Sequence, residues 1–170
     1  MVAREIGDSP FKTLPGIEYF NFEEDFVEEN IRCIPMIVRF KLDKAGIKLK
    51  LAEWSKFRTG EKVELAVRSC STGEEVVDYN KYLARLVKQY TGKKATPIEV
   101  AKFPAWADRT IIPGIVVAKA DEFNWSISED QWKSLSDLQR FALLKLCKGG
   151  HENRNFPKAM REFKLVNEYE

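Results

Sequence analysis

The sequence predicts an all-α fold: a single domain built from two duplicated multi-helix units that are related by pseudo-twofold symmetry. The first observation is that Ile34–Asp43 recurs as Ile112–Asp121, with six of ten positions identical at a constant offset of 78 residues. The same offset pairs Trp54 with Trp132 without a gap, and self-similarity at a fixed spacing indicates a duplicated supersecondary unit. The second observation is that apolar residues recur at helical spacing in both halves. Two such units would bury their apolar faces against each other in one core.

Capping residues and apolar spacing place the first elements. Residues 1–20 are rich in glycine and proline, and they are predicted to form a loosely ordered arm before a helical domain that spans residues 21–170. Asn21 is predicted to begin a helix. A second helix is predicted to start at Pro35 and to end at Gly46, because proline suits a helix start and glycine a left-handed cap.

A link and two or more helices follow in the first half. Ile47–Leu51 alternates like a strand, but its repeat counterpart does not. The sequence therefore favours a short extended link into a helix that carries Trp54. Thr59 is predicted to cap the next helix. Thr72 is predicted to open a capping box and a long helix that ends at Gly92.

The second half repeats this order after a joint. Residues 91–110 contain a Lys-Lys pair with one glycine and two prolines, and they are predicted to link the halves 21–92 and 105–166. Asp130–Leu146 has the strongest helical periodicity of the chain and is predicted to form one helix. The asparagine-rich segment before Phe156 is predicted to cap the last helix.

Composition excludes several classes of protein. The 170 residues include 28 basic and 26 acidic ones, for a formal charge of +2, whereas a nucleic-acid-binding domain usually carries a strongly basic face. No stretch reaches the ~20 apolar residues of a membrane helix, and the start of the chain lacks a signal-peptide core. Cys33, Cys70 and Cys147 form no CxxC pair, which predicts free thiols in a reducing cytosol. We therefore expect a cytoplasmic protein that binds neither nucleic acid nor membrane, with its oligomeric state left open.

The sequence contains no recognisable catalytic or metal-binding motif. His151 is the only histidine, so a nucleophilic triad or a general base would have to use it. A zinc site at this histidine would lack a second His or a Cys pair, and no GxGxxG, P-loop or HExxH motif occurs. The sequence therefore predicts no catalytic residue, no metal and no cofactor. An enzyme that uses His151 as general base is the weakest functional hypothesis.

The densest polar cluster follows two consecutive glycines. It consists of His151, Glu152, Asn153, Arg154 and Asn155, which offer donors, acceptors and both signs of charge. The functional interpretation is a recognition loop, since loops on a rigid scaffold often carry binding groups. The structural interpretation is a helix stop followed by a helix cap, and the residue types alone favour it.

Arg39, Lys41 and Asp43 lie at alternate positions of one largely apolar predicted helix. Lys41 and Asp43 recur in the second half, where valine replaces Arg39, so these two suit repeated packing such as an internal ion pair. Arg39 is the better candidate for a role in one half, although a surface arginine that reaches into water is the simpler explanation. Trp106 is the tryptophan that most suggests contact with a partner. The acidic residues between Glu23 and Glu29 are most simply a solvated helix face.

Two long strings resemble one known family. The first runs over Arg32–Asp43 and continues to Trp54, and the second contains Leu138–Leu143 and His151–Phe156. Both are similar to signatures of the nitrate-reductase-associated protein family of cyanobacteria and some algae. Together they span nearly the whole chain, residues 20–165.

The resemblance implies a small cytoplasmic, non-catalytic accessory protein that assimilatory nitrate reductase needs in order to become or stay active. That partner is a molybdopterin and iron–sulfur enzyme. The residues marked as candidates for contacting it, from the two strings and from the interpretation of Trp106, are Arg32, Arg39, Lys41, Asp43, Trp106, Arg140, His151, Glu152, Asn153, Arg154 and Asn155. The alternative is a small-molecule or cofactor-binding module that holds an anion, such as a pterin phosphate or nitrate, with Arg39, Lys41, Arg140 and Arg154.

Overall fold

The computed structural model describes residues 11–23, 33–149 and 154–169, and this part of the chain is mostly helical. Its eight α-helices are α1 (Met36–Ala45), α2 (Leu51–Trp54), α3 (Thr59–Val67), α4 (Gly73–Thr91), α5 (Gly114–Asp121), α6 (Glu129–Ser134), α7 (Asp137–Leu146) and α8 (Phe156–Glu162). The predicted helical fold class is therefore confirmed at this level.

The remaining described elements are short. Strands β1 (Ile47–Lys48) and β2 (Thr96–Pro97) pair antiparallel, with Ile47 opposite Pro97. The link predicted after α1 is thus extended, and its first two residues are a strand. A 3-10 helix covers Ala105–Ala107, and another covers Asn21–Glu23 at the start of the first predicted helix. The rest of that predicted helix, and the first ten residues of the predicted arm, lie outside the described residues.

The chain forms two compact units, of which the first ends at Val100 and the second begins at Ala101. This boundary lies within the segment 91–110 that the sequence predicts as the joint. Helices α1–α4 and the small sheet belong to the first unit, and α5–α8 belong to the second. Helices α5, α6 and α7 each begin 78 residues after α1, α2 and α3 respectively, which is the spacing that a duplication requires.

The core of the first unit lies where α1 and α4 pack together. Tyr79 of α4 is fully buried, and its hydroxyl donates to the Leu65 carbonyl at 2.7 Å. The capping box predicted at Thr72 is present, because its hydroxyl accepts from the Glu75 N–H at 3.2 Å. Thr59, predicted as the cap of α3, is instead its first helical residue.

The second unit is built around α7, which contacts α8 and the 3-10 helix Ala105–Ala107. Trp132, Phe141, Phe156 and Met160 are buried almost completely in its core. None of the helices in the described ranges combines the length and the apolar character needed to cross a bilayer.

The prediction of one helix over Asp130–Leu146 is wrong, because the backbone is extended at Leu135 between α6 and α7. The Ser136 hydroxyl accepts from the Gln139 N–H at 3.1 Å, and the Gln139 side-chain oxygen accepts from the Ser136 N–H at 2.9 Å. This reciprocal capping box satisfies two backbone donors at a new helix start. Local capping therefore divides an apolar stripe that by itself looks continuous.

Gly46 ends α1 as predicted, with a left-handed backbone at φ 73°. A Cβ at this position would lie 3.0 Å from the Val100 Cγ2 and 3.2 Å from the Ile98 oxygen. We expect Gly46→Ala to lower the free energy of unfolding by about 2 kcal/mol, because alanine disfavours this backbone and has no room. Gly92 is the matched control: its φ is 70°, and a Cβ added there would have no atom within 4 Å, so Gly92→Ala should cost about 1 kcal/mol. Urea unfolding measures both variants, and equal losses would contradict the steric part.

Burial raises the pKa of the Cys147 thiol from 9.0 to about 11. Since the thiolate is the reactive form, this rise in pKa reduces the reactive fraction at pH 8 about a hundredfold. We expect iodoacetamide to alkylate native Cys147 about a hundredfold more slowly than the unfolded chain at this pH, and the rate to rise as the pH approaches 11. Peptide-resolved mass spectrometry follows this one thiol. Equal alkylation rates in native buffer and in urea would refute the expectation.

Candidate functional site

The two units divide the predicted partner-binding residues between them. In the first unit, α1 carries Arg39, Lys41 and Asp43. The second unit contains the other described candidates, Trp106, Arg140, Arg154 and Asn155. Outside the described residues lie Arg32, His151, Glu152 and Asn153.

Lys41 is a buried residue of α1 that binds the end of a neighbouring helix. Its Nζ donates to the Ala66 carbonyl at 2.6 Å and to the Arg68 carbonyl at 2.8 Å. These carbonyls lie at the C-terminal end of α3, where the helix dipole favours a positive charge. Burial nevertheless lowers the pKa of Lys41. Backbone bonds thus take the place of the internal ion pair that the repeat suggests, whereas the repeat counterpart Lys119 does form an ion pair, with Glu122 at 2.6 Å.

The other cations of α1 also bind backbone of their own unit. Arg39 is half-buried, and its Nε donates to the Ile34 carbonyl at 2.9 Å. Lys44 donates to the Cys70 carbonyl at 3.5 Å and lies 4.4 Å from the centre of the Phe40 ring. The cations of α1 therefore contribute mainly to holding the first unit together.

Arg140 is the most deeply buried charged group of the second unit, with no exposed surface. Its Nε donates to the Trp106 carbonyl at 2.7 Å, its Nη1 donates to the Leu135 carbonyl, and its Nη2 pairs with Asp137. The Trp132 carbonyl lies 3.5 Å from Nη1. One guanidinium thus joins the extended break before α7 to the segment that carries Trp106.

Residues 101–111, which include Trp106, form the 101–111 loop. Two further contacts hold this loop in place. The indole N–H of Trp132 donates to the Asp108 carbonyl at 3.0 Å. The Asp108 carboxylate accepts from the Thr110 N–H at 2.8 Å and from the Thr110 hydroxyl at 2.7 Å. These hydrogen bonds lower the pKa of Asp108. The loop is thus held by side chains although it has little regular structure of its own.

The 101–111 loop displays large side chains to solvent. Phe103 is 86% exposed and Ile111 is 65% exposed, while the side chain of Arg109 is 60% exposed. Trp106 is half-buried on the same loop. Aromatic residues and arginine are the side chains that protein interfaces favour. Trp106, the tryptophan that the sequence singles out, thus lies on a segment that exposes another aromatic residue, Phe103, which the sequence pattern did not identify.

The described end of the polar cluster predicted after α7 begins the last helix. Asn155 is buried and occupies the N-cap position of α8, although its side chain makes no cap hydrogen bond. Arg154 is exposed. Asn155 thus occupies the predicted cap position without forming the cap hydrogen bond, while Arg154 is available at the surface.

Glu23 is a buried acidic residue that the sequence suggests is solvated. It has no exposed surface. Its Oε1 accepts from the Met36 N–H at 2.6 Å, and its Oε2 accepts from the Phe20 N–H at 3.1 Å. Because Met36 is the first residue of α1, Glu23 caps that helix from thirteen residues away. No local pattern indicates a cap at this distance.

The described residues do not form a well-defined binding site for a metal ion or for an anion. Within residues 11–23, 33–149 and 154–169, no group of three His, Cys, Asp or Glu side chains is placed to hold a metal ion. A groove of about 480 Å³ on the first unit is lined by residues that include Arg58, Glu64, Arg68 and Tyr82. Arg68 pairs with Glu64 at 3.1 Å and with Asp78 at 2.5 Å, so an anion in this groove would compete with two carboxylates.

Comparison with known proteins gives one match. A family model described as conserved nitrate reductase-associated protein matches residues 19–163, which is most of the chain. The comparisons with curated proteins and with solved structures find no match.

Proposed function

The chain belongs to the conserved nitrate reductase-associated protein family, and on that premise we propose that it is a non-catalytic accessory protein for assimilatory nitrate reductase. It acts by binding the reductase in the cytoplasm and is required for the activity or the maturation of that enzyme. The match over residues 19–163 carries the proposal.

The roles of the buried polar groups support a non-catalytic function. Glu23, Lys41 and Arg140 are the kinds of residue that serve as acids, bases or anion ligands in enzymes. Here each of them is bonded to backbone groups of its own unit. They therefore stabilise the fold, and the side chains left at the surface are suited to contact a partner.

Co-purification tests the proposal. Tagged protein is expected to retain assimilatory nitrate reductase from cell extract, and deletion of its gene is expected to lower reductase activity. Arg154→Ala is expected to weaken the retention, with Lys158→Ala, another exposed cation near the start of α8, as the matched control. No retention, together with unchanged reductase activity after deletion, would refute the function.

The same pull-down separates the possible steps of assistance. Retention of only the cofactor-free reductase points to maturation or cofactor loading, because a loading factor must release its finished product. Retention of the cofactor-loaded enzyme points instead to a role in activity, such as electron delivery.

The hydrogen bonding of the predicted anion ligands does not favour the alternative function of a pterin phosphate or nitrate binder. The Arg39 Nε donates to the Ile34 carbonyl at 2.9 Å. Lys41 and Arg140 are also occupied by backbone carbonyls. A bound ligand at a hundred times its Kd would add about 2.7 kcal/mol to the free energy of unfolding, and we expect no such thermal shift with nitrate or inorganic phosphate.

We further infer that the fold arose by duplication of a helical unit. The matched starts of three helix pairs and the repeated strings Ile34–Asp43 and Ile112–Asp121 support this inference. Superposition of residues 34–66 on residues 112–144 tests it, and two segments that fail to superpose would refute the duplication.

A further inference from the structure

We propose that the 101–111 loop is the docking surface of this chain and that its occupant is an apolar cleft of the reductase polypeptide, rimmed by carboxylates. This inference rests on the proposed function and adds the site and the chemistry of the contact.

Hydrogen bonds from buried side chains hold the middle of the loop in place before any partner arrives. Arg140 and Trp132 hold the carbonyls of Trp106 and Asp108 at 2.7 and 3.0 Å. A loop fixed in advance loses little conformational entropy on binding, which favours affinity. Two large buried side chains are thus committed to a segment whose own side chains are mostly exposed.

An aromatic side chain of the loop projects into solvent. Phe103 is 86% exposed, so a small molecule lying against it would leave most of the ring in water. Only a partner that supplies the pocket can bury this side chain. Burying a phenylalanine side chain from water is favourable by about 1.5–3 kcal/mol, and anchors of this kind dominate protein interfaces.

Positively charged side chains lie beside the apolar side chains of the loop. Lys102 and Arg109 flank the aromatic part of the loop, and the Lys102 Nζ lies 5.5 Å from the centre of the Phe103 ring. The carboxylate of Asp108 is engaged by Thr110 within the loop. These neutral donors leave the negative charge of Asp108 in place, and Arg109 lies 4.0 Å from Asp137. The loop still carries two cations against one carboxylate. Its net charge is therefore positive, and a complementary cleft carries carboxylates at its rim. The loop itself carries only two cations and contains no amphipathic helix, so it would make a poor membrane anchor by comparison.

The experiment measures binding of purified full-length protein to purified assimilatory nitrate reductase by biolayer interferometry, at low and at high salt. Phe103→Ala is expected to weaken binding at least about 30-fold, the loss typical of a central anchor. Arg109→Ala is expected to weaken it several-fold and to reduce its salt dependence. The matched controls are Tyr169→Ala, which removes a 98% exposed aromatic ring, and Lys133→Ala, which removes an exposed cation of α6. Both controls are expected to bind within twofold of wild type.

The outcomes distinguish a wrong docking surface from a wrong accessory function. If wild-type protein binds and Phe103→Ala binds equally well, the docking surface is wrong while the accessory function stands. If wild-type protein does not bind, both fall. Sedimentation of the chain alone identifies the competing occupant: a dimer that Phe103→Ala dissociates would assign the loop to a second copy and overturn the proposal. Thermal unfolding of the variants checks that these exposed substitutions leave the fold intact.

Discussion

Arg140→Ala is expected to lower the free energy of unfolding of the second unit by about 3–5 kcal/mol. The substitution removes the donor from the carbonyls of Trp106 and Leu135, and each buried acceptor left unpaired costs about 1–3 kcal/mol. It also empties the volume of a fully buried side chain, which adds a cavity cost. Urea unfolding followed by far-UV circular dichroism measures the loss.

Two further variants divide this loss into its parts. Arg140→Met fills most of the space but donates no hydrogen bond, so we expect it to recover the cavity cost alone. Arg109→Ala is the control, because Arg109 is 60% exposed and lies 4.0 Å from the same Asp137 that pairs with Arg140. An exposed ion pair contributes about 0–1 kcal/mol. If Arg140→Ala and Arg109→Ala lose the same free energy, Arg140 does not hold the second unit together.

The same variants link stability to function. Because Arg140 positions the Trp106 carbonyl, the methionine variant should loosen the 101–111 loop while keeping the second unit folded. We expect hydrogen exchange of the loop amides to speed up in Arg140→Met. Unchanged exchange would mean that Trp132 and Asp108 suffice to fix the loop.

Helix caps, which form between residues close in sequence, could be predicted, whereas contacts between residues far apart in sequence could not. Gly46 and Thr72 were identifiable because helix caps are formed by residues within one turn. Arg140 lies inside a string that resembles a known family, but its partner Trp106 lies 34 residues earlier in the chain. Every residue has a backbone carbonyl, so no pattern of residue types could reveal that Arg140 binds the carbonyl of Trp106.

The exposed surface was predictable only in part for a similar reason. Trp106 could be identified as a candidate because it is an aromatic residue without a counterpart in the repeat. Exposure, however, depends on which side chains the folded unit covers, and Phe103 is as apolar in sequence as any buried phenylalanine. The 78-residue spacing of the repeated strings agrees with the starts of three helix pairs, but it carried no information on residues outside these strings.

The buried carboxylate of Glu23 is the clearest case in which burial reverses the meaning of a residue. In sequence it begins an acidic run, which is typical of a solvated face. In the structure it accepts from the Met36 N–H at 2.6 Å and from the Phe20 N–H at 3.1 Å. A negative charge at the N-terminus of α1 is also favoured by the helix dipole. The same glutamate therefore joins the segment before α1 to the helix itself.

Glu23→Ala is expected to lower the free energy of unfolding by about 3 kcal/mol, because two buried backbone donors lose their acceptor. Glu23→Gln keeps one oxygen but places an NH₂ group against the other donor and removes the charge, so we expect a loss of about 2 kcal/mol. Urea unfolding measures both, and hydrogen exchange of the Met36 amide supplies a local readout that a general loss of packing would not single out. The control is Glu99→Gln, which neutralises an exposed carboxylate of the same unit. If Glu23→Gln matches that control in stability and leaves the Met36 amide protected, Glu23 does not cap α1.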